Sequence, residues 1–183
     1  KGYGINPALQ VIVDVILAEE LMRAIDDASD RLAKIELLRK FHALFQGEFM
    51  GTTFTRNSFI RENRLHYKLK YIEKMEVLMK LLIEQGDYTG AAGYCNDILK
   101  VYPDCVDIHF WRIVALYKQG YIDSVREIDE NLRELLDERT YSILCRRLQL
   151  ELNISDDVSE ACQESKMIFL RLDEEKRKIR HID

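Results

Sequence analysis

The sequence predicts an all-α protein, a solenoid of helical hairpins preceded by one short strand. Three observations support this fold class. Residues that favour helices dominate the 183-residue chain, which holds only 8 Gly and 2 Pro. Apolar residues recur every three or four positions from Ile16 onward. One pattern of residue types also occurs twice in succession.

The composition restricts the class of protein. Hydrophobic residues make up 47% and charged residues 32%, which is typical of a globular chain and not of a disordered one. The net charge of −5 offers no strong attraction for a phosphate backbone. The sequence lacks an apolar run of about 18 residues and a signal peptide in residues 1–15, so it predicts a cytoplasmic protein.

Residues 1–15 are predicted to form a strand and a linker. Val11, Val13 and Val15 alternate along the chain as in a strand. A lone strand needs a partner, which either a later segment or an upstream domain supplies. In the second case residues 1–15 would be the remnant of a domain whose other strands lie upstream.

The predicted helical domain covers residues 16–152. Its first two helices carry apolar stripes, and Asp30 or Ser29 is expected to cap the second. A loop around Gly47 and Gly51 leads to the longest helical pattern, from about Ser58 to Gln85. The stripes consist of Leu17, Leu21, Ala24, Ile25 and Ala28; Leu32, Ile35, Leu38, Phe41 and Phe45; and Leu65, Leu69, Ile72, Met75, Met79 and Leu82.

The repeat gives the strongest evidence on organisation. Its two copies begin at Ile72 and Val106, thirty-four residues apart, which is the period of tetratricopeptide repeats. Gly86 and Gly120 occupy equivalent positions and are expected to end the first helix of each pair in a left-handed conformation. The small Ala91 permits close helix packing, and Pro103 ends a second helix.

One more helix is predicted after Arg139, with Tyr141, Leu144, Cys145, Leu148 and Leu152 on one face. Residues 153–183 form a C-terminal extension with two open interpretations. The run MIFLRL fits either a strand that pairs with Val11 to Val15 or the middle of a charged helix.

Together these pieces resemble the bacterial transcriptional activator domain of regulators of the antibiotic regulatory protein type. The resemblance covers about residues 1–137 and depends on the motifs NPALQVIVDV, LLRKFHALFQGEFM, RENRLHYKLKYIEKMEVLMKLLIEQGDYTGAAGYCNDILKVYP and NLRELL. In that family a winged-helix DNA-binding domain comes first, and its last wing strand corresponds to GYGI here. Asp129 departs from the family, which usually has an aromatic residue there.

No catalytic, cofactor-binding or metal-binding motif is present. His42, His66, His109 and His181 lie far apart, and Cys95, Cys105, Cys145 and Cys162 show no zinc-ligand spacing. Phosphate-binding and hydrolase motifs such as GxGxxG and GxSxG are missing. The sequence therefore predicts a protein that is not an enzyme, needs no cofactor and keeps its thiols reduced.

Two candidate binding surfaces follow from the predicted register. A partner groove on the first helices of the two pairs combines Glu76, Lys80 and Ile83 with Phe110, Val114 and Tyr117. The alternative for its aromatic residues is that they fill the seam between pairs. A basic face on the long helix contains Arg61, Arg64 and Lys68, and its alternative is an ordinary solvated face.

The resemblance implies a regulatory and protein-interaction domain that mediates self-association, partner binding or effector sensing for an upstream DNA-binding domain. A protein partner or a homodimer is expected, a small effector is a further option, and DNA is expected to be contacted only by the upstream domain. The alternatives are a free-standing tetratricopeptide adaptor and, with less support, a helical enzyme.

Overall fold

The computed structural model describes residues 14–45, 47 and 58–152. All elements in these ranges are helices, which confirms the all-α prediction. They are α1 (Asp14–Asp27), α2 (Arg31–Leu44), α3 (Ser58–Glu84), α4 (Tyr88–Val101), α5 (Val106–Gln119), α6 (Ile122–Leu135) and α7 (Glu138–Glu151). The predicted strand is wrong at Val15, which lies in α1, while Val11 and Val13 lie outside the described residues.

Helix ends follow the chemistry of their terminal residues. Asp30, Asp87 and Asp137 begin α2, α4 and α7 by accepting a hydrogen bond from a backbone N–H three residues on. Gly86 and Gly120 follow α3 and α5 with φ of 80° and 87°, a region that costs other residues about 1–2 kcal/mol. The next residues, Asp87 and Tyr121, donate to the carbonyls of Leu82 and Leu116. The prediction for both glycines is therefore confirmed.

The chain divides into two compact units at Leu81 and Leu82. The first unit contains α1, α2 and most of α3, and α1 packs on α2. Its core includes Ile25, Leu38, Phe41, Met75 and Leu78, all at most 1% exposed. The Lys74 ammonium on α3 is buried and donates to Asp26 Oδ1 on α1 at 2.5 Å. This ion pair fixes α3 against α1.

The second unit contains the end of α3 and helices α4 to α7. Helix α5 packs on α4, α6 and α7, so it is the centre of the unit. Ala91, Val114, Val125 and Ile108 are completely buried. Tyr102 to Cys105 connect α4 to α5, and Pro103 lies in this turn two residues after the last residue of α4. The predicted final helix is confirmed as α7, whose Tyr141, Leu144 and Leu148 are buried.

Three residues of the predicted apolar stripes are exposed. Leu32 is 66% exposed on α2, and Leu65 and Leu69 are 58% and 59% exposed on α3. The long α3 carries apolar residues around more of its circumference than its neighbours cover, so spacing alone does not select the buried ones. Residues 153–183, with both interpretations of MIFLRL, lie outside the described residues.

Candidate interaction surfaces

The predicted basic face lies on the first half of α3. Arg61 is exposed, while Arg64 and Lys68 are half-buried. Large apolar side chains are exposed along the same half of the helix: Phe59, Leu65 and Leu69 are 68%, 58% and 59% exposed. Apolar area beside cationic groups is typical of a surface that binds a partner.

The six residues of the predicted partner groove differ in exposure. Glu76 and Lys80 belong to the first unit, where Lys80 is exposed and Glu76 is half-buried. Ile83 and Tyr117 of the second unit are half-buried. Phe110 and Val114 are buried, at 4% and 0% exposure. A buried aromatic ring belongs to a core, which is the alternative that the sequence left open for Phe110.

The surroundings of Phe110 explain its burial. The Arg147 guanidinium of α7 lies over the Phe110 ring, 4.5 Å from its centroid. Trp111 approaches the same ring edge-on with centroids 4.9 Å apart. Arg147 also forms an ion pair with Asp107, one turn before Phe110 on α5. Arg147 therefore holds α7 against α5 through a charge and a ring together.

A buried polar cluster joins α6 to α7. Asp129 on α6 is 5% exposed, and its Oδ1 accepts a 2.5 Å hydrogen bond from the Tyr141 hydroxyl on α7. Arg133, one turn further along α6, places its Nε 3.0 Å from Asp129 Oδ2 and donates to the Tyr141 oxygen at 2.8 Å. The three side chains thus satisfy one another in the second unit.

Burial dominates the electrostatics of this polar cluster. It raises the pKa of the Asp129 carboxyl, although the Tyr141 hydrogen bond and the Arg133 charge act in the opposite direction. Burial and the hydrogen bond to Asp129 both raise the pKa of the Tyr141 hydroxyl. Cys145 lies beside the cluster, and burial also raises the pKa of its thiol. These shifts keep the tyrosine and the thiol protonated, so neither is activated as a nucleophile.

The junction of α4 and α5 has a different chemistry. Cys95 is completely buried on α4, and burial raises the pKa of its thiol to about 12. Burial lowers the pKa of His109 on α5, whose Nε2 lies 2.8 Å from the Pro103 carbonyl oxygen. Three buried nitrogens, His109 Nδ1, Trp111 Nε1 and Arg112 Nε, have no hydrogen-bond partner within the described part of the chain.

The two other described histidines contact aromatic side chains. His42 Nδ1 lies 2.8 Å from the Tyr71 hydroxyl, and His66 packs edge-on against Tyr67. His181 and Cys162 lie outside the described ranges. Across residues 14–45, 47 and 58–152, the His, Cys, Asp and Glu side chains form no group that would hold a metal ion. In these same ranges every helix is too short or too polar to cross a bilayer.

The polar cluster is the feature that sequence reasoning missed. The sequence marked Asp129 only as a departure from a family pattern. A signal was present, because Asp129 lies thirty-four residues after the buried Cys95 and so occupies a core position of the repeat. A carboxylate at such a position needs a donor nearby. Tyr141 on the next helix supplies it, but helical spacing does not specify that contact.

Comparison of the chain with family models, with curated proteins and with solved structures gives no match.

Proposed function

We propose that this chain is the regulatory and protein-interaction domain of a bacterial transcriptional regulator. The observation that carries the proposal is the repeated architecture. Two helix ends with a left-handed glycine lie thirty-four residues apart, and helices α4 to α7 each span 14 residues. Stacked short helices present an extended surface, which repeat proteins use to bind other proteins. The sequence motifs that resemble the activator domain connect this surface with transcription.

The mechanism that we propose is linkage between binding and domain arrangement. A protein partner, a second copy of the chain or a small effector binds the helical domain. Binding then favours one placement of a DNA-binding domain that lies outside the chain described here. The chain itself contributes the binding energy of the partner and contacts no base of the DNA.

The exposed half of α3 is the better-supported partner surface. It combines Arg61 with the exposed Phe59, Leu65 and Leu69. The groove on α5 has less support, because Phe110 and Val114 are covered within the second unit. We therefore assign partner binding to the first half of α3, including the basic face of Arg61, Arg64 and Lys68.

The partner surface can be tested by self-association. The probe is the chain itself in analytical ultracentrifugation over a range of concentrations, since a homodimer is one expected partner. Leu65→Ser with Leu69→Ser should weaken association at least about tenfold, because two large side chains lose their burial. Leu32→Ser with Leu135→Ser is the matched control and removes equally exposed leucines from α2 and α6. Equal association of both variants would reject α3 as the surface.

The link to DNA has a separate test. A mobility-shift titration with duplex DNA at physiological salt should show only weak binding that does not depend on sequence, because the net charge is −5. Tight, sequence-selective binding would contradict the proposal. The alternative of a free-standing adaptor is distinguished by the gene sequence upstream of Lys1. A winged-helix pattern there supports the regulator, whereas a further thirty-four-residue repeat supports the adaptor.

A helical enzyme is the second alternative, and it has the least support. Asp129 and Tyr141 satisfy each other by a hydrogen bond, and Cys95 is completely buried. A catalytic site would instead need titratable groups that converge where a substrate can reach them.

A further inference from the structure

The outward face of α7 carries an unusual combination of side chains. Tyr141, Leu144 and Leu148 point into the second unit. Each helix residue turns by about 100°, so Arg139, Ile143, Arg146 and Leu150 lie together on the opposite side, within about 60° of one another. All four side chains are exposed, and the exposed fractions of Ile143 and Leu150 are 54% and 72%. This outward face is both apolar and basic.

Its charge is unbalanced. Within the described residues, Arg139 and Arg146 form no ion pair, whereas Arg126 and Lys100 on other helices pair with Asp123 and Asp97. The acids of α7 nearest to the outward face, Glu138 and Glu151, lie about 110° from its centre. Two unneutralised guanidinium groups beside two exposed aliphatic side chains fit an occupant that is apolar on one side and acidic at its edges.

We propose that the outward face of α7 binds an acidic amphipathic segment, and that this segment is residues 156–172 of the same chain. Its first half contains four acids, Asp156, Asp157, Glu160 and Glu164. Apolar residues recur between and after them at helical spacing: Val158, Ala161, Ile168 and Leu172. The segment therefore matches the outward face in both charge and hydrophobicity.

The position of the segment in the chain favours it over other occupants. It begins four residues after Leu152, so its effective concentration at the outward face is in the millimolar range or above. A second copy of α7 fits less well, because a symmetric contact between two such faces would gather four arginines without an acid to neutralise them. Binding of the segment would also cover the outward face of α7, the last helix of the described array. Without the segment, the large aliphatic side chains of Ile143 and Leu150 are exposed to water.

The experiment is hydrogen–deuterium exchange on the full chain, read on the peptides that cover residues 156–172. Protection of their amides is expected in the native chain. Ile143→Ser with Leu150→Ser should accelerate their exchange at least about tenfold, because the segment loses its apolar contacts. Leu135→Ser is the matched control, since Leu135 is 58% exposed on α6 and away from this face. It should leave the exchange rates unchanged.

A charge reversal tests whether the charges of the outward face and of the segment contribute to their binding. Arg139→Glu with Arg146→Glu should accelerate exchange of the segment about fivefold at low salt. Adding Asp156→Lys and Glu160→Lys to that variant should restore the protection. Lys118→Glu, an equally exposed charge reversal on α5, serves as the control. Arg139 and Arg146 are exposed, so circular dichroism should show an unchanged helical content in the variant that replaces them.

Three results would overturn the proposal. The amides of residues 156–172 exchange at unprotected rates in the native chain. Their protection is equal in the native chain and in both multiple variants. The protection rises with chain concentration together with a dimer that Leu150→Ser dissociates, in which case the occupant is a second copy.

Discussion

Cys95 and Asp129 occupy equivalent positions in two successive repeats, but the second unit accommodates their buried side chains in different ways. The thiol of Cys95 is buried and neutral at the junction of α4 and α5. The carboxyl of Asp129 is buried at the junction of α6 and α7, where Tyr141 and Arg133 satisfy both of its oxygens. The comparison shows that equivalent positions of the repeat accept an apolar or a charged residue, provided that neighbouring side chains supply the matching partners.

The largest expected effect concerns the close packing of α4. Ala91 is completely buried, so Ala91→Arg forces a long charged side chain into a space built for a methyl group. We expect a loss of several kcal/mol in the free energy of unfolding, by overpacking and by burial of an unpaired charge. Urea unfolding followed by circular dichroism measures it. Thr89→Arg is the control on the exposed side of the same helix and should change the stability little. Equal midpoints for the two variants would contradict this packing.

The second prediction compares the equivalent positions directly. Asp129→Ala leaves the buried Tyr141 hydroxyl without its acceptor and should lower the free energy of unfolding by about 2–3 kcal/mol. Cys95→Ala removes one sulfur atom from a packed site and should lower it by about 1 kcal/mol. Both are measured by urea unfolding. A larger loss for Cys95→Ala than for Asp129→Ala would show that the polar cluster contributes nothing beyond packing.

Lowering the pH should change the stability of the two junctions in opposite directions. Burial lowers the pKa of His109 below its ordinary value of 6.5, so its stabilising contribution is full above pH 6.5 and is lost as the pH falls through the lowered pKa. Burial raises the pKa of Asp129 above 3.8, so its contribution is full below pH 3.8 and is lost as the pH rises through the raised pKa. Acidification therefore weakens the α4–α5 junction and strengthens the α6–α7 junction.

Two variants measure this difference by urea unfolding between neutral pH and about pH 4. His109→Gln cannot become charged, so it should gain stability relative to the native chain as the pH falls below 6.5. Asp129→Asn cannot take up a proton, so the native chain should gain stability relative to it over the lower part of this range. Parallel pH profiles for the native chain and both variants would contradict the assigned shifts.

The smallest expected effect concerns an exposed glycine within α4. Gly93 has no atom within 4 Å of the place where a Cβ would be built, and the equivalent residue of α6 is the exposed Glu127. Gly93→Ala should raise the free energy of unfolding by about 0.5–1 kcal/mol, because alanine favours the helix and loses less chain entropy. Gly86→Ala should do the reverse, because Gly86 has a φ of 80°. A thermal melt distinguishes the two signs.

The sequence was sufficient for the helices, but not for the predicted strand at Val15 or for several contacts. The repeat period, the glycines and the capping residues predict where helices end. Each of these signals depends on only a few neighbouring residues, as at Gly86, Gly120 and Asp30. Spacing placed Leu65 and Leu69 on the apolar stripe of α3, but both are exposed, because burial depends on which neighbours reach that side of the helix. Phe110 was predicted either as a groove residue or as a core residue, and spacing does not reveal that Arg147 of α7 lies over its ring.

The short connections of the second unit have a consequence for how the chain folds during synthesis. Helices α4 to α7 are joined by turns of two to four residues, and the principal contacts among them are between helices one or two places apart in the chain. Such contacts close small loops, so their formation is fast, on the order of microseconds to milliseconds. A ribosome adds about 5–20 residues each second, far more slowly than this. Each newly made helix of the second unit can therefore pack on the helices that precede it before the next one has emerged.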